Sequence, residues 1–315
     1  MPQFDQDEMT GDEVIVGKEH DGRATDESPL NEMLQTWTEL TDEKLSFDWR
    51  EEQPTAKMAK KHKEHSEYDN TSLDPSSYSR SIHRDYLAHV MRWGWITRQI
   101  KRHTAASDDV NVIEVGCGRE LSLFSALRIS VAIKPPALMT MVDINKTKTT
   151  KCPWADVRSD FDFVSRWPEL QTEGKQYNVA VNTEVIEHIT TPLGMAMLNG
   201  INKLLVDGGD FYISTPVFNG RRAVNHIREY TVAELQEMLE KSGFEVVKRY
   251  GTFASWNDIK RAISTDETLS EDEKRLMLAR YNEAADFYGH DVMSCYAAPL
   301  YPDASRNNAW HCRKV

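Results

Sequence analysis

The sequence has no uninterrupted run of about 20 apolar residues, the length needed to cross a bilayer, so an integral membrane protein is not expected. Its first residues, MPQFDQDEMT, contain neither a basic segment nor an apolar segment, which predicts a cytoplasmic protein without a secretory signal. The four cysteines form no C-x-x-C pair, which argues against a zinc knuckle or a disulfide framework. A GKS/T phosphate loop and a GxSxG nucleophile elbow are also missing, and with them two common catalytic motifs.

Positive charge is scarce at one end of the chain. Residues 1–74 hold 20 Asp and Glu against eight Lys and Arg, whereas the other 241 residues hold 30 of each, so the whole net charge of -12 belongs to the first segment. This composition predicts an acidic, largely disordered N-terminal arm over 1–74, with a docking helix around Trp37 as the less favoured alternative. Because the remainder is neutral, net charge does not exclude a nucleic-acid partner.

The remaining chain alternates between strand and helix patterns. Residues 75–104 predict one helix with a basic polar face, followed by a domain over 105–315. Strands are predicted at 111–115, 137–143, 177–182, 208–215, 244–253 and 307–315, with helices between them. Alternation of this kind indicates an α/β fold with parallel βαβ units and a doubly wound, Rossmann-like sheet. Residues 252–306 form a helical insertion before the last strand, of a length typical of a lid or substrate-binding element.

The most informative local motif is VIEVGCGRE at 112–120. Gly116 and Gly118 directly follow a predicted strand, where glycines allow a tight turn and a close approach of a ligand to the backbone. The second strand ends at Asp143, and a carboxylate there can accept hydrogen bonds from both hydroxyls of a ribose.

Glu114-x-Gly116-x-Gly118 resembles motif I of the class I S-adenosylmethionine-dependent methyltransferases, and Asp143 is similar to the acid that follows it. NTEVIEHI (182–189), LLVDGGDFYISTP (204–216) and EYTVAELQEMLEKSGFEVV (229–247) resemble later segments of the same family. The resemblance implies a mostly parallel seven-stranded sheet, and the helix at 75–104 would flank the cofactor site. Glu120 stands where the family's third glycine would be, which disfavours a dinucleotide because a pyrophosphate requires close backbone approach.

The resemblance also implies how the residues divide around S-adenosylmethionine. Glu114 would lie near the methionine amino group and Asp143 on the ribose. For the adenine, Asp160–Phe161 is preferred over Asp156–Val157, and the alternative is that these acids only cap the next helix. The full set of expected cofactor-binding residues is Glu114, Gly116, Cys117, Gly118, Asp143, Ile144, Asp160, Phe161 and Asn182.

A second group of residues, Glu184-x-x-Glu187-His188 with His226 further along, resembles sites in two subgroups of the family. In the small-RNA 2′-O-methyltransferases such residues bind a divalent metal, and the E-x-x-E-H part also resembles the ubiquinone-pathway O-methyltransferases. Carboxylates and imidazoles suit Mg²⁺ or Mn²⁺. The favoured alternative is a metal-free site, in which His188 is a general base or positioning residue assisted by Glu187 and His226.

The preferred function is methyl transfer from S-adenosylmethionine to an oxygen or nitrogen of a small molecule, since the insertion would enclose a pocket. The first alternative is a nucleic-acid methyltransferase, of the metal-assisted ribose 2′-O type. The second is a protein that binds the cofactor without turnover.

Overall fold

One mixed sheet lies at the centre of the structure, a computed structural model that describes residues 29–55, 84–130 and 134–315. Its strands are β1 (Asn111–Val115), β2 (Leu138–Val142), β3 (Ala155–Arg158), β4 (Tyr177–Thr183), β5 (Leu205–Pro216), β6 (Phe244–Phe253) and β7 (Asn307–Lys314). The order is β3-β2-β1-β4-β5-β7-β6, and only β7 runs antiparallel to its neighbours. The predicted doubly wound, mostly parallel sheet is confirmed.

Helices cover both faces of this sheet. In chain order they are α1 (Pro29–Lys44), α2 (Arg84–Ala106), α3 (Ser122–Ile129), α4 (Phe163–Thr172), α5 (Thr191–Leu204), α6 (Val232–Lys241), α7 (Trp256–Thr265), α8 (Glu271–Tyr288) and α9 (His290–Ala297). Short 3₁₀ turns lie at Ile186–His188, Ala298–Leu300 and Pro302–Ala304. None of the helices in the described ranges is both long and apolar enough to cross a membrane.

The two faces of the sheet bury separate hydrophobic clusters. Because successive strand side chains point to opposite faces, Val112 of β1 packs with α2 and α3, whereas its neighbour Ile113 packs in the cluster that includes α4, α5 and α6. Both side chains are fully buried. This double burial explains why β1 and β2 are apolar at most positions instead of alternating between apolar and polar residues.

Strand β3 is the element that the sequence pattern did not predict. Its four residues, ADVR, are only partly buried, and just Ala155 and Val157 pack against the hydrophobic cluster. It lies at one edge of the sheet, paired with β2 alone. Four residues are the shortest run in which alternation can indicate a strand, so the periodic signal in the sequence is weak.

The predicted insertion between β6 and β7 folds as a small helical unit of α7, α8 and α9. Its buried apolar core is formed by Ala254, Ile259, Ile263, Tyr281 and Ala285. Helix α8 begins with a capping box in which Ser270 and Glu273 satisfy each other's backbone N–H groups. Helix α9 packs against α2 and β6, which brings the insertion next to the helix that precedes β1.

The N-terminal segment differs from the solvated arm that its acidity predicts. Helix α1 packs against α5, with Trp37 against the main hydrophobic cluster. Beyond it, Leu45 is buried, and the backbone N–H and hydroxyl of Ser46 both donate to Glu237 at 2.6 Å. Residues 29–55 are therefore docked on the domain, while 1–28 and 56–74 lie outside the described residues.

Candidate functional site

The turn after β1 is shaped by two glycines with left-handed backbone angles, Gly116 at φ 76° and Gly118 at φ 67°. A Cβ on Gly116 would lie 2.3 Å from a methyl carbon of Val185, whereas a Cβ on Gly118 would meet nothing within 4 Å. The first glycine is thus required by close packing against the segment after β4. The second borders open space, as expected where a ligand approaches the backbone.

Asp143 fixes this turn from the end of β2. Its carboxylate accepts hydrogen bonds at 2.8 Å from the backbone N–H groups of Gly118 and Asn145, one on each oxygen. The side chain is nearly buried, and the next residue, Ile144, is two-thirds exposed. Each carboxylate oxygen has a second lone pair, so Asp143 is able to accept further hydrogen bonds from a ligand in front of the turn.

Glu114 lies beneath the same turn, 2% exposed. Its Oε2 accepts no hydrogen bond from the described residues, and neither does Oδ1 of the buried Asn182 on β4. Burial, and to a lesser degree the Asp143 carboxylate, raises the pKa of Glu114 to about 8. A buried acid and a buried carbonyl without partners are costly unless a ligand supplies donors. Cys117 is also buried here, and burial raises the pKa of its thiol.

Asp160 and Phe161 lie beside Asp143. The backbone N–H of Phe161 donates to the Asp143 carbonyl at 2.9 Å, and Asp160 has a left-handed φ of 52°. Asp156, in contrast, lies in β3 and pairs with Arg158 and Lys175 at 3.1 and 2.5 Å. The cap of α4 is Asp162, so neither predicted acid has the alternative role of helix cap. This geometry favours Asp160–Phe161 for an adenine contact.

Substitutions at the two glycines should separate folding from ligand binding. Gly118→Ala places a methyl group in open space at a backbone cost of about 1 kcal/mol. We expect it to lower Tm by only a few degrees and to weaken S-adenosylmethionine binding at least tenfold. Gly116→Ala should instead lower Tm markedly, because Val185 must move. Differential scanning calorimetry and titration calorimetry measure both effects. If Gly118→Ala bound S-adenosylmethionine as tightly as wild type does, the open space at Gly118 would not belong to the cofactor site.

Glu184 is the first residue of the predicted E-x-x-E-H motif and has a left-handed backbone φ of 56°. Its carboxylate accepts hydrogen bonds from Ser214 at 2.8 Å and from Asn307 at 2.8 and 3.1 Å, and lies 3.5 Å from the Arg92 guanidinium. The structure does not bring Glu184 into one group with the other predicted metal ligands. Its oxygens are occupied by donors from β5, β7 and α2.

Glu187, His188 and His226 do converge. One ligand atom of each lies within 4.8 Å of the others, and the two imidazole rings stand perpendicular with centroids 4.9 Å apart. Glu187 is buried and accepts a hydrogen bond from Thr215 at 2.9 Å, whereas the His188 side chain is 42% exposed. Burial, reinforced by the Glu184 carboxylate, raises the pKa of Glu187 well above its ordinary value.

His226 is oriented by a partner that sequence reasoning missed. Its Nδ1 lies 2.7 Å from the buried carboxylate of Glu229, which leaves Nε2 as the ring atom available to a ligand. Glu229 is three residues further along the chain, and no motif marked it. Arg92 and Asn307, which hold Glu184, were missed for a different reason. They belong to distant elements, and only the basic face of α2 gave any signal.

The glycine turn and the Glu187–His188–His226 cluster (hereafter the histidine cluster) belong to one edge of the sheet. Val185, between Glu184 and Glu187, contacts Gly116 directly, so the two sites are joined through one side chain. β1 and β4 are adjacent and parallel, and both sites follow the carboxyl ends of these strands. That edge is where open α/β sheets bind their ligands.

Comparison with known proteins places residues 52–249 in a family model described as a methyltransferase domain. A protein of Mycolicibacterium smegmatis named "Probable S-adenosylmethionine-dependent methyltransferase" is 36% identical over 92 residues, 27% of this chain and 35% of that protein. The chain thus spans about a third of the length of that relative. Similar folds occur in the [4+2]-cyclase SpnF (18% identity, TM-score 0.43, 70% of this chain and 79% of that one). They also occur in a SAM-dependent methyltransferase from Archaeoglobus fulgidus (17%, TM-score 0.42, 70% and 94%).

Proposed function

Since the chain belongs to the class I S-adenosylmethionine-dependent methyltransferase superfamily, we propose that it transfers a methyl group from this cofactor to an oxygen or nitrogen of a small-molecule acceptor. The observation that carries the proposal is the contact between the glycine turn and the E-x-x-E-H segment, because it joins a cofactor cradle to a proton acceptor.

The residues of the turn fit S-adenosylmethionine. Glu114 has a buried oxygen without a partner and would pair with the methionine ammonium group. Asp143 would accept hydrogen bonds from the ribose hydroxyls, and the open space at Gly118 would leave room for the cofactor beside the backbone. Asp160 and Phe161 would border the adenine. When bound, the cofactor supplies an electrophilic methyl group on its sulfonium.

A small acceptor is supported by what surrounds the edge of the sheet. Helix α2 carries Arg92 to Glu184 at the end of β4, and α9 of the insertion packs against α2. The insertion therefore adjoins the elements beside the histidine cluster, an arrangement suited to enclosing a compact molecule rather than a duplex. Enclosure also removes water, which strengthens the orienting contacts of the site.

His188 is the residue proposed to receive the acceptor's proton. It is more exposed than Glu187, so an acceptor reaches it, and the ring of His226 lies against it edge-on. An imidazole is suited to accept a proton near neutral pH, whereas the raised pKa of Glu187 favours the protonated form of that carboxyl. The cofactor would supply the methyl group by cleavage of its sulfonium S–CH3 bond and would leave as S-adenosylhomocysteine, while the His188 imidazole would take the proton of the acceptor hydroxyl.

Titration calorimetry with S-adenosylmethionine, followed by a labelled-methyl screen of small hydroxyl and amine acceptors and of RNA, tests the proposal. No binding would overturn it. Binding without transfer to any acceptor would favour a protein that binds the cofactor without turnover. Transfer to RNA alone would favour a nucleic-acid methyltransferase, the second candidate function described next.

That second candidate, metal-assisted methylation of a ribose 2′-hydroxyl, is favoured by the spacing of the histidine cluster. One carboxylate and two imidazoles are suitable ligands for Mn²⁺, and Glu229 would orient His226 as metal-site carboxylates commonly do. Against it, Glu184 is already surrounded by donors, which leaves three residues for the ion.

Removal of divalent ions distinguishes the two candidates. We expect the small-molecule activity to stay within about twofold after treatment with EDTA, because a proton acceptor needs no metal. The rate of methyl transfer with EDTA and with added Mn²⁺ is the measurement. A loss of at least tenfold that Mn²⁺ restores would favour the metal-assisted reaction instead.

A further inference from the structure

We propose that residues 46–55, the N-terminal strap, position the imidazole of His226 through Gln53 and Arg228. The inference rests on the proposed function only in giving His226 a role beside the reacting groups. It gives the N-terminal segment a part in the site, whereas the acidic composition of this segment indicates only that it is solvated.

The first link is between Gln53 and the backbone of Glu229. The Gln53 amide donates from Nε2 to the Glu229 carbonyl at 2.6 Å, and its Oε1 accepts from the Glu229 N–H at 3.0 Å. One side chain thereby satisfies both backbone groups of a residue 176 positions away. Next to this pair, the N–H of Arg222 donates to the Pro54 carbonyl at 3.0 Å, and Thr55 forms a β-bridge with Arg222.

The second link connects Glu229 to the ring of His226. The Glu229 carboxylate is 5% exposed and accepts from the Ala223 N–H at 2.8 Å while it lies 2.7 Å from His226 Nδ1. A carboxylate that is hydrogen-bonded to one ring nitrogen sets the tautomer and the orientation of an imidazole. Any shift of the Glu229 backbone is therefore transmitted to the ring.

A parallel link passes through Arg228. Its guanidinium donates to the carbonyls of Trp49 and Glu51 at 2.9 and 3.1 Å, and to the Glu234 carboxylate at 2.8 Å. Its backbone N–H donates to the Glu187 carbonyl at 3.2 Å. The same residue thus binds the strap on one side and the backbone of the histidine cluster on the other.

The loop that bears His226 needs such external contacts. Between β5 and α6 the chain forms no helix or strand ladder, and its backbone hydrogen bonds are scattered ones, such as those from Ile227 and Arg228 to the Glu187 carbonyl. A loop without regular hydrogen bonding has several accessible conformations and costs entropy to order. The strap supplies backbone partners that the loop does not find within itself.

The test uses Gln53→Ala in the full chain, with Glu52→Ala as the matched control because Glu52 is an exposed neighbour on the same strap. Two-dimensional NMR of the histidine rings is recorded with S-adenosylmethionine bound, and His226 is assigned by its absence in His226→Ala. We expect the His226 ring signals to move in Gln53→Ala and to stay in place in Glu52→Ala. Unmoved His226 signals in Gln53→Ala would overturn the proposal.

Measurements of kcat test the proposal independently of the NMR spectra. Gln53→Ala should lower kcat about tenfold, in line with the sensitivity of rates to small displacements, with cofactor affinity within twofold of wild type. In a His226→Ala background the same change should have no further effect on kcat. Equal effects in both backgrounds would show that Gln53 acts elsewhere and would overturn the proposal.

Failure of the proposed function gives a different pattern. If no acceptor is methylated at all, the assigned reaction is wrong, yet the NMR comparison still decides whether the strap sets the position of the His226 ring.

Discussion

Replacement of Glu114 by Gln is expected to abolish the proton release that accompanies S-adenosylmethionine binding. Burial raises the pKa of Glu114 to about 8, so the carboxyl is protonated in the free protein at neutral pH. Pairing with an ammonium group requires the ionised form, so binding must expel this proton. In wild type we expect the affinity to rise with pH from 6 to 7.5 by up to about tenfold per unit, with about one proton released.

Calorimetry in two buffers of different ionisation enthalpy counts the protons. The Gln variant should bind about tenfold more weakly or worse, since a buried charged contact is lost, and its affinity should not depend on pH over this range. Proton release that persists in Glu114→Gln would assign the titrating group elsewhere.

The same shift has a second consequence, for the stability of the protein without cofactor. Because the folded-state pKa is raised, the stability contributed by Glu114 is fully present below the ordinary glutamate pKa and is lost as the pH rises toward about 8. We therefore expect the free energy of unfolding of wild type to fall over this interval more steeply than that of Glu114→Gln. Thermal unfolding at several pH values measures the difference, with Glu267→Gln, at an exposed glutamate, as the control.

The geometry of the glycine turn could be predicted from the sequence because its determinants are local. Gly116 and Gly118 follow a buried strand directly, and Asp143 ends the next one, so neighbouring parallel strands bring them together. His226 was also predicted, from residue type and order along the chain. Its distance from His188 and its orientation by Glu229 were not, because they depend on the folding of a loop without periodic structure.

Other features could not be predicted because their partners lie far apart in the chain. Glu184 has the spacing of a ligand, but Arg92 and Asn307, 92 residues before it and 123 after it, occupy its oxygens in the fold. The N-terminal segment has the composition of a solvated arm. Its docking depends on a few apolar side chains, such as Trp37 and Leu45, and on hydrogen bonds such as that of Gln53 with Glu229. Composition therefore favoured the solvated arm, whereas the structure has the docking helix that was the alternative.

The largest effect on turnover is expected from His188→Ala. Removal of a general base commonly costs about 10²- to 10⁴-fold in rate, and we expect kcat for a hydroxyl acceptor to fall within that range. Cofactor affinity should stay within about twofold, because Glu114 and Asp143 belong to the ends of β1 and β2, whereas His188 lies in the turn after β4. Titration calorimetry and single-turnover transfer of a labelled methyl group provide the two measurements.

Glu187→Gln is the matched control for His188→Ala, because it changes the neighbouring residue while preserving shape. The raised pKa of Glu187 favours its neutral carboxyl, and a neutral amide resembles a neutral carboxyl. The amide oxygen still accepts from Thr215, the contact that holds this side chain at 2.9 Å. We therefore expect kcat of Glu187→Gln to stay within about tenfold of wild type. A metal site would behave in the opposite way, since an ion requires the carboxylate. If Glu187→Gln were as inactive as His188→Ala, and Mn²⁺ stimulated only the wild type, the histidine cluster would be a metal site rather than a proton acceptor.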